Sequence, residues 1–132
     1  MIRVRISQHL EEVDIEGTGQ ELVDLIKALE SFIASEHSEL TTLTDDSFDP
    51  HPYYALAGLI FRKGHGHLEA KLENKSLIIS GSNHAIQSLA DNLPAEADQP
   101  EAGVNYHVHF DKTWGTLPLS KDFPDMTLTL RK

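Results

Sequence analysis

Apolar and polar residues alternate along several short stretches of the chain, and a period of two is typical of half-buried strands. The alternation occurs at residues 2–6, 13–15, 68–72 and 126–130. Longer apolar runs at residues 54–62 and 77–80 predict buried strands. We expect the three consecutive strands between residues 54 and 80 to form a meander joined by tight turns.

Apolar residues recur at intervals of three and four in two other stretches, which predicts amphipathic helices. The helical pattern of the first stretch begins at Thr18, and the second helix begins after Gly81 with Ser82 or Asn83 as its N-cap and ends at Pro94. Residues 35–52 and 95–103 are acidic and rich in loop-forming residues, so both are expected to be exposed loops. The predicted stripes are Leu22, Leu25, Ile26, Leu29, Phe32 and Ile33 in the first helix and Ile86, Leu89, Ala90 and Leu93 in the second.

The chain also resembles itself weakly when it is shifted by 64 residues. The unit in common is strand, strand, glycine, helix, and a glycine at that junction suits a backbone turn that Cβ would crowd. Chance alignment of two such junctions remains an alternative to duplication. The patterns together predict an α+β fold of one domain over residues 1–132, in which two helices pack on one face of a mainly antiparallel sheet to form two layers. The matching pairs are Val4 with Leu68, Ile6 with Ala70, Val13 with Leu77, Ile15 with Ile79, Gly17 with Gly81, Leu22 with Ile86, Leu25 with Leu89 and Leu29 with Leu93.

The segment from residue 106 to residue 111 is the most informative for function. Because successive side chains of a strand point to opposite faces, one face holds Tyr106, Val108 and Phe110 and the other holds two histidines and an aspartate. The remaining strands add polar side chains to the second face, which we expect to be open to solvent or to a partner. The predicted open face consists of Arg3, Arg5, His67, Glu69, Lys71, Glu73, His107, His109, Asp111, Thr127, Thr129 and Arg131.

The charge of the chain narrows the possible partners. Eleven Lys and Arg against 21 Asp and Glu give a net charge of −10, which repels nucleic acids and anionic membranes and attracts basic proteins. The chain contains no cysteine, which excludes disulfides, thiolate zinc sites and cysteine nucleophiles. It shows neither a signal peptide nor an apolar stretch of membrane-spanning length. We therefore expect a cytoplasmic protein that binds neither nucleic acid nor membrane.

Two His-x-His pairs, His65 with His67 and His107 with His109, raise the alternative of a metal-binding protein or a small metal-dependent enzyme. Neither pair lies in an extended metal motif, and the chain has no Gly-x-Ser-x-Gly elbow and no phosphate-binding loop. We therefore predict no catalytic residue and no cofactor. Trp114 is either a loop anchor or an interface residue. The predicted partner-binding residues are His107, His109, Asp111, Trp114, His67, Glu69, Asp45, Asp46 and Asp49.

The C-terminal part carries a family resemblance. The histidine strand, a short turn, the segment Leu117-Pro118-Leu119-Ser120-Lys121-Asp122 and the strand at residues 126–130 resemble the closing segment of immunity protein 32, a family from bacterial polymorphic toxin systems. The resemblance implies a small cytoplasmic antidote that binds and blocks a cognate toxin without chemistry of its own. The acidic surface independently suits a basic toxin, such as a nuclease.

Overall fold

The computed structural model describes residues 1–95, 106–110 and 117–131. The two predicted helices are present, and nine strands accompany them within these described ranges. In chain order the elements are β1 (Arg3–Ile6), β2 (Glu12–Gly17), α1 (Gly19–Ala34), β3 (Glu39–Leu43), β4 (Tyr54–Ala55), β5 (Gly58–Lys63), β6 (Glu69–Glu73), β7 (Ser76–Gly81), α2 (Asn83–Asn92), β8 (Tyr106–Phe110) and β9 (Asp125–Leu130).

Side-chain caps fix the start of both helices. The Thr18 hydroxyl accepts a hydrogen bond from the Glu21 N–H, and the Glu21 carboxylate accepts one from the Thr18 N–H, which together form a capping box. The Ser82 hydroxyl accepts a hydrogen bond from the Ala85 N–H at the start of α2. Each cap satisfies backbone donors that the first turn of a helix leaves unpaired.

The strands form two sheets. The first sheet has the order β4-β1-β2-β9-β8, and the second sheet has the order β3-β5-β7-β6. Among the named strands of the described residues, β2 with β9 and β5 with β7 pair in parallel, and the other strand pairs are antiparallel. The predicted α+β fold with mainly antiparallel pairing is confirmed. The division of the strands between two sheets differs from the single sheet that the sequence predicts.

The predicted three-strand meander is wrong, because β7 lies between β5 and β6. Both β5 and β7 are apolar over most of their length and are largely buried, which suits central strands that pair in parallel. The alternating and mostly exposed β6 takes the edge instead. The region 35–52 is also not entirely a loop, since it contains β3 at the opposite edge of the second sheet. Only two residues of β3 are apolar, so its pattern is too weak to predict a strand.

The two sheets are built in the same way from opposite halves of the chain. The hairpin β1–β2 pairs with the later antiparallel strands β8 and β9, and the hairpin β6–β7 pairs with the earlier antiparallel strands β3 and β5. Helix α1 follows the hairpin β1–β2 and leads the chain into the second sheet, and helix α2 follows the hairpin β6–β7 and leads the chain into the first sheet. The chain thus contains two equivalent units that exchange a pair of strands, which is the arrangement expected of a duplicated strand-strand-helix unit.

The equivalence of the two units corrects the sequence alignment in one place. Val4 pairs with Ile15, whereas Ala70 pairs with Ile79, so Val4 corresponds to Ala70 and not to Leu68. The difference arises because five residues separate β1 from β2 but only two separate β6 from β7.

The junction glycines are explained by packing instead of by a turn. A Cβ at Gly17 would lie 2.7 Å from the Ile2 Cδ1 atom, and a Cβ at Gly81 would lie 3.1 Å from the Leu68 Cδ2 atom. Neither glycine therefore leaves comfortable space for a side chain.

Buried residues of both sheets and both helices form one hydrophobic cluster, so each sheet turns one face toward a common core. Leu22 and Leu29 of α1 and Ile86 of α2 are fully buried in it. The inner face of the first sheet contributes Val4, Ile15 and Leu128, among others. Neither helix in the described part of the chain has both the length and the apolar character needed to cross a bilayer.

We predict that replacing either cap residue destabilises the fold by a similar amount. Thr18→Ala and Ser82→Ala should each lower the free energy of unfolding by about 1 kcal/mol, because each leaves a backbone N–H of the first helical turn without its acceptor. Urea denaturation measures the change, and Thr18→Ser is the control that keeps the hydroxyl. Wild-type stability in Thr18→Ala would contradict the role of the capping box.

Candidate functional site

The outer face of the first sheet is polar, and we call it the polar face. Its side chains come from alternate positions of four neighbouring strands, because the inward positions are occupied by the core residues. The strand register places them in rows across the sheet, so residues from distant parts of the chain become neighbours. The polar face comprises Arg3 and Arg5 of β1, Glu12, Asp14 and Glu16 of β2, Asp125, Thr127 and Thr129 of β9, and His107 and His109 of β8.

A chain of hydrogen bonds connects His107 to Asp14. The Thr129 hydroxyl donates to the Asp14 Oδ1 atom at 2.8 Å and lies 2.9 Å from His107 Nδ1. Because a hydroxyl has one proton, Thr129 can only accept from His107, which places a proton on Nδ1. The Nε2 atom is then left for other contacts, and His107 is exposed.

His109 repeats the contact one row along the sheet. Its Nδ1 atom lies 2.9 Å from the Thr127 hydroxyl. Both histidines thus use the same ring nitrogen on a threonine of β9, the strand next to them. This contact restricts the orientation of each imidazole ring and fixes its position on the polar face.

Arg5 holds two carboxylates of β2 together. Its Nε atom lies 2.9 Å from Asp14 Oδ2, and its Nη2 atom lies 2.6 Å from Glu16 Oε2. Glu16 is only 5% exposed, and such a buried carboxylate is tolerated because cations are close to it. Arg131 approaches the other Glu16 oxygen at 3.7 Å and pairs with Glu21 at 3.0 Å. The network therefore runs from the polar face to the capped start of α1.

Within this network, the pKa of Asp14 is shifted upward. Burial raises the pKa of Asp14, although the hydrogen bond from Thr129 and the charge of Arg5 act in the opposite direction. A raised pKa means that the ionised form of Asp14 is not fully compensated by its neighbours. A further cation near Asp14 would stabilise that form.

A groove of about 440 Å³ crosses the polar face. Tyr53 borders it and donates a hydrogen bond from its hydroxyl to Glu12 at 2.9 Å, which raises the pKa of the phenol. With neutral histidines, the single arginine and the three carboxylates of the groove give 1 − 3 = −2 charges. The groove is lined by Arg5, Glu12, Val13, Asp14, Tyr53, His107, His109, Asp125 and Thr127.

The structure brings only some of the predicted partner-binding residues together. His107 and His109 line the groove, and Asp45 reaches the polar face at Arg3, 3.1 Å from its Nε atom. Asp46 and Asp49 are exposed in the same loop as Asp45. Glu69 lies in β6 of the second sheet, and His67 lies in the connection that precedes β6. Asp111 and Trp114 lie outside the described residues.

Asp14, Glu12 and Tyr53 line the groove but are absent from the predicted site residues. Asp14 alternates with Val13 and Ile15, so the period of two does place it outward. Nothing in the local sequence connects Tyr53 with Glu12, because their contact joins positions 41 residues apart.

Among residues 1–95, 106–110 and 117–131, no group of three or more His, Asp or Glu side chains is arranged to hold a metal ion. The two histidine pairs also lie in different places, since His107 and His109 are on β8 of the first sheet whereas His65 and His67 are in the connection between β5 and β6. The described part of the chain therefore provides no structural support for the metal alternative.

The histidine strand belongs to a segment with a known counterpart. Residues 76–131 match the model of the family immunity protein 32. The matched segment covers β7, α2, β8 and β9, which confirms the resemblance of the C-terminal part. Both histidines and both threonines of the polar face lie within the matched segment. No curated protein and no solved structure matches the chain.

The loop carrying Asp45 allows a test of the electrostatics at the border of the polar face. Hydrogen bonds from the hydroxyl and the N–H of Ser47, together with that from Arg3, lower the pKa of Asp45 from 3.8 to about 2. The ionised carboxylate therefore stabilises the fold above pH 3.8, and this contribution is lost as the pH falls toward 2.

We predict that Asp45→Asn is less stable than wild type at neutral pH and that the difference disappears as the pH falls from about 4 to about 2. Thermal unfolding across this pH range measures it. The neighbouring exposed residue provides a matched control, so Asp46→Asn should follow the wild-type curve. A constant difference between Asp45→Asn and wild type at all pH values would contradict the assigned ion pair.

Proposed function

We propose that this chain is a non-catalytic immunity protein of the bacterial cytoplasm that neutralises a cognate, basic toxin, such as a nuclease, by binding it with the polar face. The observation that carries the proposal is the match of residues 76–131 to immunity protein 32, because the matched segment contains the strand whose histidines border the groove. Neutralisation then requires only binding, which covers or distorts the active site of the toxin.

The charge of the chain supports a basic partner. The net charge of −10 attracts a cationic protein at long range, and the groove adds local negative charge at Asp14, Glu12 and Asp125. Burial raises the pKa of Asp14, and a lysine or arginine of the toxin placed near this carboxylate would favour its ionised form. We expect binding to weaken as the salt concentration increases.

The side chains of the groove also suit a protein interface. Tyr53 is 38% exposed and presents an aromatic ring beside charged groups, and tyrosine and arginine are common among residues that dominate binding energy. The Nδ1 atoms of His107 and His109 contact threonines of β9, so their Nε2 atoms are the ones that face a partner. Rings held in this way lose little conformational freedom on binding.

Co-expression tests the function directly. The toxin encoded by the neighbouring gene is induced in a bacterial host with and without this chain, and growth is measured. We expect the wild-type chain to restore growth. Failure to restore growth, or failure of the purified proteins to bind, would show that the proposal is wrong.

The two histidine pairs provide a matched test of the binding surface. The double variant His107→Ala, His109→Ala should weaken toxin binding by about tenfold or more, because it removes two held side chains from the groove. The double variant His65→Ala, His67→Ala has the same residue types and spacing in the connection between β5 and β6 and should bind like wild type. Isothermal titration calorimetry measures affinity, and thermal unfolding verifies that both variants fold. Equal binding by both variants would exclude the polar face as the toxin-binding surface without contradicting the immunity function.

A further inference from the structure

No other strand in the described part of the chain pairs with the outer edge of β3. The Lys63 N–H donates to the Ser38 carbonyl and the Thr44 N–H donates to the Ala57 carbonyl, at the two ends of the β3–β5 pairing. Hydrogen-bonded pairs in an antiparallel ladder recur every second residue, so even-numbered residues of β3 bond to β5. The N–H and carbonyl groups of Glu39, Thr41 and Leu43 therefore point away from the second sheet.

The same edge already receives another segment just beyond β3. The Asp45 N–H donates to the Ile2 carbonyl at 2.8 Å, on the side of the strand opposite β5. The start of the chain thus covers this edge at Asp45, while β3 itself lies at the edge of the second sheet. An additional strand along β3 would continue in line with the segment that leads into β1.

An apolar groove of about 300 Å³ accompanies this edge. Leu43 is 72% exposed beside it, which is unusual for a leucine on a strand edge and marks a site where another chain can pair. Since alternate side chains of an added strand point to the same face, one of them would enter the groove. The groove lies between α1 and β3 and is lined by Met1, Ile2, Glu21, Asp24, Leu25, Ala28, Thr42 and Leu43.

The charges around β3 favour a basic segment as the partner of this edge. Asp24, Glu36 and Asp46 are exposed around the edge. Two cations of the neighbouring strand β5 are already engaged, because Arg62 pairs with Glu39 and Glu73, and Lys63 donates to the Ser35 carbonyl. A basic segment is therefore attracted, whereas a second copy of this chain, with its own net charge of −10, is repelled.

We propose that the partner adds an extended segment as a new strand along β3, with an apolar side chain in the groove and lysine or arginine on either side. The proposal rests on the proposed function, since it assigns this segment to the toxin. The polar face and β3 then form two parts of one binding surface, connected by the loop in which Asp45 contacts both Ile2 and Arg3. Strand addition supplies affinity through main-chain hydrogen bonds and specificity through the groove.

Proline at position 41 tests the free edge without breaking the pairing of β3 with β5. Thr41→Pro removes an N–H that points away from β5 and should fold normally, since proline is tolerated on the open side of an edge strand. It should weaken binding of a purified, catalytically inactive toxin by about tenfold or more, because it deletes a hydrogen bond in the middle of the added strand. Thr41→Val, which retains the N–H, is the matched control and should bind like wild type.

Two further measurements keep the test independent of a folding defect. Leu43→Asp should also weaken binding, and hydrogen exchange should show that the amides of Glu39, Thr41 and Leu43 become protected in the complex. Wild-type affinity in Thr41→Pro, or unprotected amides in the bound wild-type chain, would overturn strand addition but leave the immunity function intact. Self-association of wild type that Thr41→Pro abolishes would assign the edge to a second copy and overturn the toxin segment.

Discussion

The parallel pairings of β2 with β9 and of β5 with β7 are the constraint on which the rest of the structure depends. Each pairing joins a strand from one half of the chain to a strand from the other half, so neither sheet can form from a single half. The inner residues of the four strands, such as Ile15, Leu128, Phe61 and Ile79, are buried in the common core. Most of the apolar surface is therefore buried only after contacts between distant parts of the chain have formed, which is the costly step in chain entropy.

The same pairings create the polar face. His107 and Thr129 come from the C-terminal half, whereas Asp14 and Arg5 come from the first 20 residues, and the register places them in adjacent rows. The segment matched to immunity protein 32 thus supplies only part of the face. On the equivalent face of the second sheet, Ile78 occupies the position of Asp14 and Arg62 pairs with Glu39 and Glu73. The two equivalent faces therefore differ, because that of the second sheet carries ion pairs around an apolar centre and that of the first sheet carries a histidine-lined groove.

Local patterns were sufficient to predict the helices, one of the two candidate caps of the second helix and most strands, because Ser82 and the regular apolar spacing act within a few residues. The order of the strands was not predictable, since the position of β7 between β5 and β6 depends on pairings across the chain. The polar and mostly exposed β3 gave almost no signal. The outward direction of His107 and His109 followed from alternation alone, whereas the contact of Tyr53 with Glu12 required the tertiary structure.

The alternation in β2 has a consequence for folding accuracy. A shift of one residue between β2 and β9 would exchange Val13 and Ile15 for Asp14 and Glu16 at the core, and burying these carboxylates without Arg5 would be strongly unfavourable. The charged residues of the polar face therefore help to specify the register in which the two halves of the chain pair. A substitution at one of these positions therefore affects both the binding surface and the strand register. Substitutions at the rim of the groove, at Tyr53 and His109, change the binding surface without determining how the strands align.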